Sequence, residues 1–149
     1  MSPVEPPTQP VALLDDDAIA DLLGRARRIA VVGASSNRER ASHRVFRTLL
    51  AAGYECIPVN PNEIEVDGVP CVPSLTQAAE YGHIDIVDVF RRSELTEPVA
   101  REAVAIGAGA LWLQLGVINW EAARIAAEGG LAVVMDRCTA IELRRVPGR

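Results

Sequence analysis

Five short runs of apolar, largely β-branched residues recur along this chain, and their spacing limits the folds open to it. They are Ile29–Val32, Tyr54–Val59, Ile84–Val89, Ala110–Leu113 and Leu131–Met135, and they begin 21 to 30 residues apart. That is the period of strand–helix–strand units. Continuous apolar runs suit parallel strands covered on both faces. Helical stretches fill the gaps. Residues 41–52 carry Val45, Phe46, Leu49 and Leu50 on one face and stop at Gly53. Ser74 caps a short helix ending near Tyr81, and Asn119 caps one ending at Gly129-Gly130. Ser93 is the expected cap of a helix with the stripe Leu95, Val99, Ala103 and Ile106, whose Pro98 falls in the first turns. A leading helix over Asp15 to Arg27 carries Ile19, Leu22, Leu23 and Ala26. The pattern predicts a single doubly wound α/β domain over residues 13–149. Five parallel strands, in the order 3-2-1-4-5, have helices on both faces. Residues 1–12 read as a disordered, proline-rich tail.

Composition narrows the function classes. The chain has 149 residues, 49% hydrophobic and 23% charged, as a globular domain does. No apolar run reaches the roughly eighteen residues of a membrane span. The opening residues lack the basic and apolar regions of a signal peptide. A net charge of −5 argues against general nucleic-acid binding. Cys56, Cys71 and Cys138 are odd in number and lack zinc spacing, so reduced thiols and a cytoplasmic location are expected. There is no lysine, which excludes a Schiff-base lysine and a P-loop lysine.

Open parallel sheets bind ligands beyond the carboxyl ends of their strands. The five runs end at Gly33-Ala34-Ser35, Asn60-Pro61, Phe90-Arg91, Gln114-Leu115-Gly116 and Asp136-Arg137-Cys138. Nearly every unusual polar group in the chain stands at one of these ends. The first end is the most telling. A strand runs into Gly33-Ala34-Ser35-Ser36, then Arg38 and Arg40, then a helix beginning near Ala41. Free N–H groups and the positive end of a helix dipole make such a junction an anion site. Gly33 reads as the position where a Cβ would crowd a phosphate. A dinucleotide fits poorly. No G-x-G-x-x-G follows, and the second strand ends in Asn60-Pro61 where an acid would hold the ribose.

Several motifs then occur together and in order: Ala30-Val31-Val32-Gly33-Ala34-Ser35, Arg40-Ala41-Ser42, Gly53-Tyr54, Pro58-Val59-Asn60-Pro61, Asp88-Val89-Phe90-Arg91, Leu111-Trp112-Leu113-Gln114-Leu115-Gly116 and Met135-Asp136-Arg137-Cys138. In this the chain resembles the small, stand-alone CoA-binding proteins. Their Rossmann-like fold is similar to the CoA-binding domain of the succinyl-CoA synthetase alpha subunit. The resemblance spans roughly residues 15–143 and implies coenzyme A or an acyl-CoA as ligand. It implies that Gly33, Ala34, Ser35 and Ser36 wrap the pyrophosphate, with Ser42 in the adjoining helix turn. Arg38 and Arg40 would meet phosphate oxygens, and Asn60 and Pro61 would border the adenosine. Phe90 and Arg91 would close the neighbouring strand end, with Gln114 and Gly116 nearer the pantetheine arm. His43 stands where the family commonly has an aromatic such as tyrosine.

No catalytic constellation is visible. The synthetase chemistry needs a phosphorylated histidine and an ATP-grasp partner, and neither His43 nor His83 supplies it. Non-catalytic binding is therefore the leading reading. A small nicotinamide-dependent oxidoreductase and a subunit of an acyl-CoA ligase, with a separate protein partner, are the alternatives. Asp136-Arg137-Cys138 reads first as a structural Asp–Arg pair beside an inert cysteine. The other reading is an arginine-activated thiol able to form a mixed disulfide with coenzyme A. Gln114, inside an apolar run, needs a hydrogen-bond partner if buried.

Overall fold

The computed structural model describes residues 11–149; residues 1–10, most of the expected tail, lie outside the described residues. The elements run α1 (Asp16–Arg25), β1 (Arg28–Val32), α2 (Ala41–Ala51), β2 (Glu55–Val59), β3 (Glu65–Val66), β4 (Val69–Pro70) and α3 (Leu75–Ala78). They continue with β5 (Ile86–Val89), α4 (Thr96–Ala105), β6 (Ala110–Leu113), α5 (Trp120–Glu128), β7 (Ala132–Met135) and α6 (Thr139–Glu142). The five expected strands are β1, β2, β5, β6 and β7, and each neighbouring pair is parallel. The antiparallel hairpin β3–β4 is an addition that the apolar pattern does not announce.

The sheet order is β2-β1-β5-β6-β7. Counting only these five strands it reads 2-1-3-4-5, which corrects the expected 3-2-1-4-5. Proline supplies the physical reason. Pro58 lies in β2 with its carbonyl turned outward, accepting from Val72 N–H at 3.0 Å. In a parallel strand the N–H and C=O of one residue face the same side, so the donor that Pro58 lacks is missing from the outer edge. A further full strand there would lose a ladder bond, which confines such a strand to the edge. The segment at Val72 covers that edge with short backbone contacts instead.

Strand residues alternate between two buried clusters, as period-two geometry requires. Ala30, Val32, Ile57, Val87 and Leu111 face α3, α4 and α5. Ile29, Val31, Cys56, Ile86 and Trp112 face α1, α2 and α6. Parallel crossovers are right-handed, so a connection moving one way along the sheet covers one face and a connection moving back covers the other. β1 to β2 moves one way and places α2; β5 to β6 moves the other and places α4. The carboxyl ends of β1 and β5 are thus left with helices departing on opposite faces. That is the switch point of a doubly wound sheet.

Local capping follows the sequence in two of three cases. Ser74 accepts from Gln77 N–H at 3.3 Å, and Asn119 accepts from Ala122 N–H at 3.0 Å. Ser93 does not cap α4. Its hydroxyl accepts from Ile118 N–H at 3.0 Å, and Leu95 occupies the cap position.

At the end of β1, Gly33 N–H donates to the Val59 carbonyl and Phe90 N–H donates to the Val32 carbonyl, at 2.9 and 2.8 Å. Gly33 has φ +84°, and a Cβ there would lie 2.1 Å from the Phe90 carbonyl oxygen. The neighbouring strand by itself demands glycine here, a reason the sequence reading did not supply. Gly33→Ala combines a left-handed backbone with a backbone clash. It is expected to lower unfolding free energy by about 2 kcal/mol or more, measured by urea denaturation.

Candidate functional site

A crevice opens at the switch point. One cavity of about 420 Å³ is lined by Gly33, Ser35, Arg40, Ala41, Ser42, Asn60, Pro61, Asn62, Phe90 and Arg91. A second, of about 660 Å³, is lined by Arg40, Ala41, Val45, Phe90, Arg91, Arg92, Leu95, Gln114, Leu115, Val117, Cys138 and Ile141. Arg40, Ala41, Phe90 and Arg91 belong to both. The two cavities are therefore one elongated crevice with ends of different chemistry.

The first end is polar and electropositive. The backbone N–H groups of Ser35, Ala41 and Ser42 have no partner among the described residues. Ala41 and Ser42 open α2, an eleven-residue helix with no acid in its first turn to compete for an anion. Arg40 occupies the cap position with extended backbone, φ −75° and ψ 140°, and no side-chain cap. Several other arginines are paired with carboxylates: Arg28 with Glu55, Arg92 with Glu94, Arg124 with Glu121, Arg137 with Asp16. Arg40 and Arg91 have no carboxylate within reach among the described residues. Two uncompensated guanidinium groups beside three free N–H donors make a site for phosphate oxygens.

The other end is apolar. Leu95, Leu115 and Ile141 are among the few large hydrophobic side chains that the described surface leaves exposed, and all three line this cavity. Such convergence marks a binding surface. Cys138 lies here as well, half-buried at the start of α6.

Beneath the apolar end lies a polar group that the sequence reading missed as a partner. Asp88 is fully buried in the middle of β5. Its Oδ1 accepts from Gln114 Nε2 at 2.5 Å, and its Oδ2 accepts from the Thr139 hydroxyl at 3.0 Å. Gln114 Nε2 also donates to Thr139 Oγ1 at 2.8 Å. This answers what Gln114 pairs with. Burial pushes the Asp88 carboxyl up to about 7, and the bonds from Gln114 and Thr139 draw it partly back. The signal was present in Ile-Val-Asp-Val-Phe, an acid inside a buried run, but its partners come from two other strand ends.

The crevice brings together Gly33, Ser35, Arg40, Ser42, Asn60, Pro61, Phe90, Arg91 and Gln114 of the expected residues. Ala34, Ser36, Arg38 and Gly116 stand outside its lining. Ala34 is buried, and its carbonyl accepts from Asn60 Nδ2 at 2.9 Å. Ser36 faces Glu63, donating its N–H at 2.5 Å and its hydroxyl at 2.9 Å. Those two bonds hold the Glu63 carboxyl below its ordinary range. Arg38 lines a separate hollow with His43, Glu63 and Asp67. Gly116 donates to Asp136 Oδ1 at 2.7 Å. Asp136 and Arg137 therefore do not form the expected pair, because Arg137 binds Asp16 and Glu142. His43 is buried with Nδ1 2.8 Å from the Ser35 carbonyl, so it fixes the loop. Burial pushes the Cys56 thiol up to about 12, in keeping with an inert thiol.

Known proteins agree with this architecture. The family model described as "CoA binding domain" matches residues 27–144. The uncharacterised protein YneT of Bacillus subtilis is 47% identical over 120 residues, covering 80% of this chain and 87% of its own. A hypothetical protein of Pyrococcus horikoshii superposes with a TM-score of 0.85 at 37% identity, covering 95% of this chain and 99% of that one. The dinucleotide-forming acetyl-coenzyme A synthetase 1 of Ca. Korarchaeum cryptofilum shares the fold at 21% identity and TM-score 0.66, over 79% of this chain and 28% of that one.

Asp88 makes stability depend on pH in a definite direction. Unfolded, the carboxyl ionises near 3.8; folded, near 7. Between these values the folded state holds a proton that the unfolded state has released, so stability falls as pH rises. The contribution is full below the lower value and lost above the upper one. Asp88→Asn removes this slope. Urea denaturation across the window is expected to show wild type losing up to about 1.4 kcal/mol per pH unit relative to the variant, then levelling off.

Proposed function

The chain belongs to the CoA binding domain family, and from that premise we propose that it binds coenzyme A or an acyl-CoA non-covalently in the switch-point crevice, without catalysing a reaction on it. One observation carries the reading: the crevice is continuous, with unpaired Arg40 and Arg91 at one end and Leu95, Leu115 and Ile141 at the other. Coenzyme A has the same polarity, a phosphorylated nucleotide joined to a long, weakly polar arm.

The residues present fit such a ligand. The N–H groups of Ser35, Ala41 and Ser42, with Arg40, would hold the pyrophosphate. Arg91 supplies further positive charge, and Asn60, Pro61 and Asn62 border the nucleotide end. The apolar end takes the arm and any acyl chain. Ser36 and Arg38 are left out of this assignment, because Ser36 is engaged by Glu63 and Arg38 lines the neighbouring hollow. Binding without catalysis is supported by what the crevice offers, which is guanidinium, amide and small hydroxyl groups and the Cys138 thiol, with no general base beside that thiol in the lining. His43 spends Nδ1 on a backbone carbonyl.

A nicotinamide dinucleotide is less well served. The end of β2 carries Asn60, whose Nδ2 donates to Ala34 and whose Oδ1 accepts from Asn62 N–H at 2.9 Å. An acid that would accept from a ribose diol is missing at that position. Nothing in the site favours a ligase partner subunit over a chain that acts alone.

Two measurements test the proposal. Coenzyme A is expected to raise the melting temperature clearly, with NAD, NADP and ATP giving much smaller shifts. Equal stabilisation by NAD reverses the reading. Arg40→Ala is expected to weaken coenzyme A binding by about 1.5–3 kcal/mol, the worth of a charge-assisted bond, read by titration calorimetry. Unchanged affinity removes Arg40 from the site.

A further inference from the structure

We propose that Asp88 and Thr139 are positioning residues that lock Gln114 with its carbonyl oxygen turned to the crevice, making the apolar end selective for an arm that carries amide N–H donors. The proposal deepens the coenzyme A reading and rests on it.

The argument is a count of donors and acceptors. Gln114 is 3% exposed yet lines the apolar end of the crevice. Its amide nitrogen has two protons, and both are placed: one on Asp88 Oδ1, one on Thr139 Oγ1. The Thr139 hydroxyl proton goes to Asp88 Oδ2. With Asp88 ionised the ring closes, three donors on three acceptors, each used once. Gln114 Oε1 is the group left over, and it has no partner among the described residues. It is not sealed in the core either, since the buried side-chain atom without a partner among those residues is His43 Nε2. The leftover acceptor therefore belongs to the crevice.

With Asp88 ionised, the ring also forbids the opposite orientation. Turning the amide over would set Oε1 against a carboxylate oxygen and a hydroxyl whose proton is already spent. Two buried acceptors would face each other, at a cost that buried polar groups do not tolerate. Asp88 and Thr139 touch no ligand in this arrangement. They act through the side chain between them, which presents one acceptor in an otherwise apolar wall. A hydrocarbon arm leaves that acceptor unpaired; a pantetheine-type arm, with its secondary amides, satisfies it.

Asp88→Asn tests the wiring. The asparagine is the same size but brings two donors and loses an acceptor. The ring then has donors in excess, and the relief is to rotate Gln114 so that Oε1 turns inward. Coenzyme A and adenosine 3′,5′-bisphosphate, which has the nucleotide but no arm, are titrated into the full chain on the alkaline side of the Asp88 titration. Wild type is expected to prefer coenzyme A. In Asp88→Asn the preference should shrink by about tenfold, one hydrogen bond's worth, while the bisphosphate affinity stays put. Thr139→Val should act in the same direction and Thr139→Ser should restore the preference; these carry the test where Asp88→Asn does not fold. Equal loss of both ligands, or no loss of either, overturns the proposal.

The free protein gives a second readout. The Gln114 side-chain amide protons are expected to exchange slowly in wild type and rapidly in Asp88→Asn, by nuclear magnetic resonance. A wild type that binds neither nucleotide overturns the coenzyme A reading and the arm selectivity with it. Protected Gln114 protons would then still uphold the locked orientation, and unprotected ones would overturn that as well.

Discussion

The carboxyl ends of β1 and β5 lie side by side, and the crevice depends on the chain departing from them in opposite directions. One right-handed connection carries the chain from β1 to the sheet edge, under α2. The other carries it from β5 to β6, towards the opposite edge, over α4. A crevice results without any residue having to be removed from the core. The contact that keeps the two ends together is close. Gly33 lies against the Phe90 backbone with no room for a Cβ, and Phe90 N–H extends the ladder onto Val32. The loop after β1 is thereby delivered to the mouth of the crevice rather than folded across it.

From that junction the chemistry divides by length along the crevice. Near Gly33 the backbone itself supplies donors, since a helix beginning at Ala41 leaves its first N–H groups unpaired. Further along, the backbone is sealed in strands and side chains decide. Asp88 is the exception in that sealed region. It shares a register row with Val31 and Trp112, both fully buried. A carboxyl there destabilises the fold above its titration unless its neighbours provide donors, and they are drawn from the ends of β6 and β7. The same bonds that offset the burial of Asp88 also fix Gln114, so a stability requirement and the shape of the crevice wall are met by one set of atoms.

How much of this was legible follows from the range of each interaction. Strand and helix positions are written locally, in the apolar runs and in Ser74 and Asn119, and they were readable. Ser93 was misread because its hydroxyl is claimed by Ile118, twenty-five residues away. Strand order was misread although Pro58 stated it; the missing N–H marks an edge only once one asks which side it faces. The motifs that carry the family resemblance put Gly33, Arg40, Asn60, Phe90, Arg91 and Gln114 around one crevice. They include Arg40 and leave Arg38 outside, and in the structure the two face different hollows although only one residue separates them. The ring joins Asp88 of β5, Gln114 just after β6 and Thr139 at the start of α6, and no spacing within one segment reveals it.

The loop between β1 and α2 shows why such a site is ready before any ligand arrives. It is held by bonds within itself and by bonds to the rest of the domain. Asn37 N–H donates to Ser35 Oγ, Glu39 N–H to Asn37 Oδ1, and Arg40 N–H to the Asn37 carbonyl. Asn60 holds the Ala34 carbonyl, His43 holds the Ser35 carbonyl, and Glu63 holds Ser36. These contacts leave the Ser35 N–H without a partner among the described residues, in the crevice lining that Ala41 and Ser42 also share. A carboxylate already sits on Ser36, so the loop carries one internal anion on its outer side and keeps its inner side open. Ordering a flexible loop costs binding energy, and this loop is ordered by folding. The small hydroxyl and amide residues of Ser-Ser-Asn, unremarkable in composition, are therefore the tethers that hold the loop in place while its bare backbone N–H groups stay free.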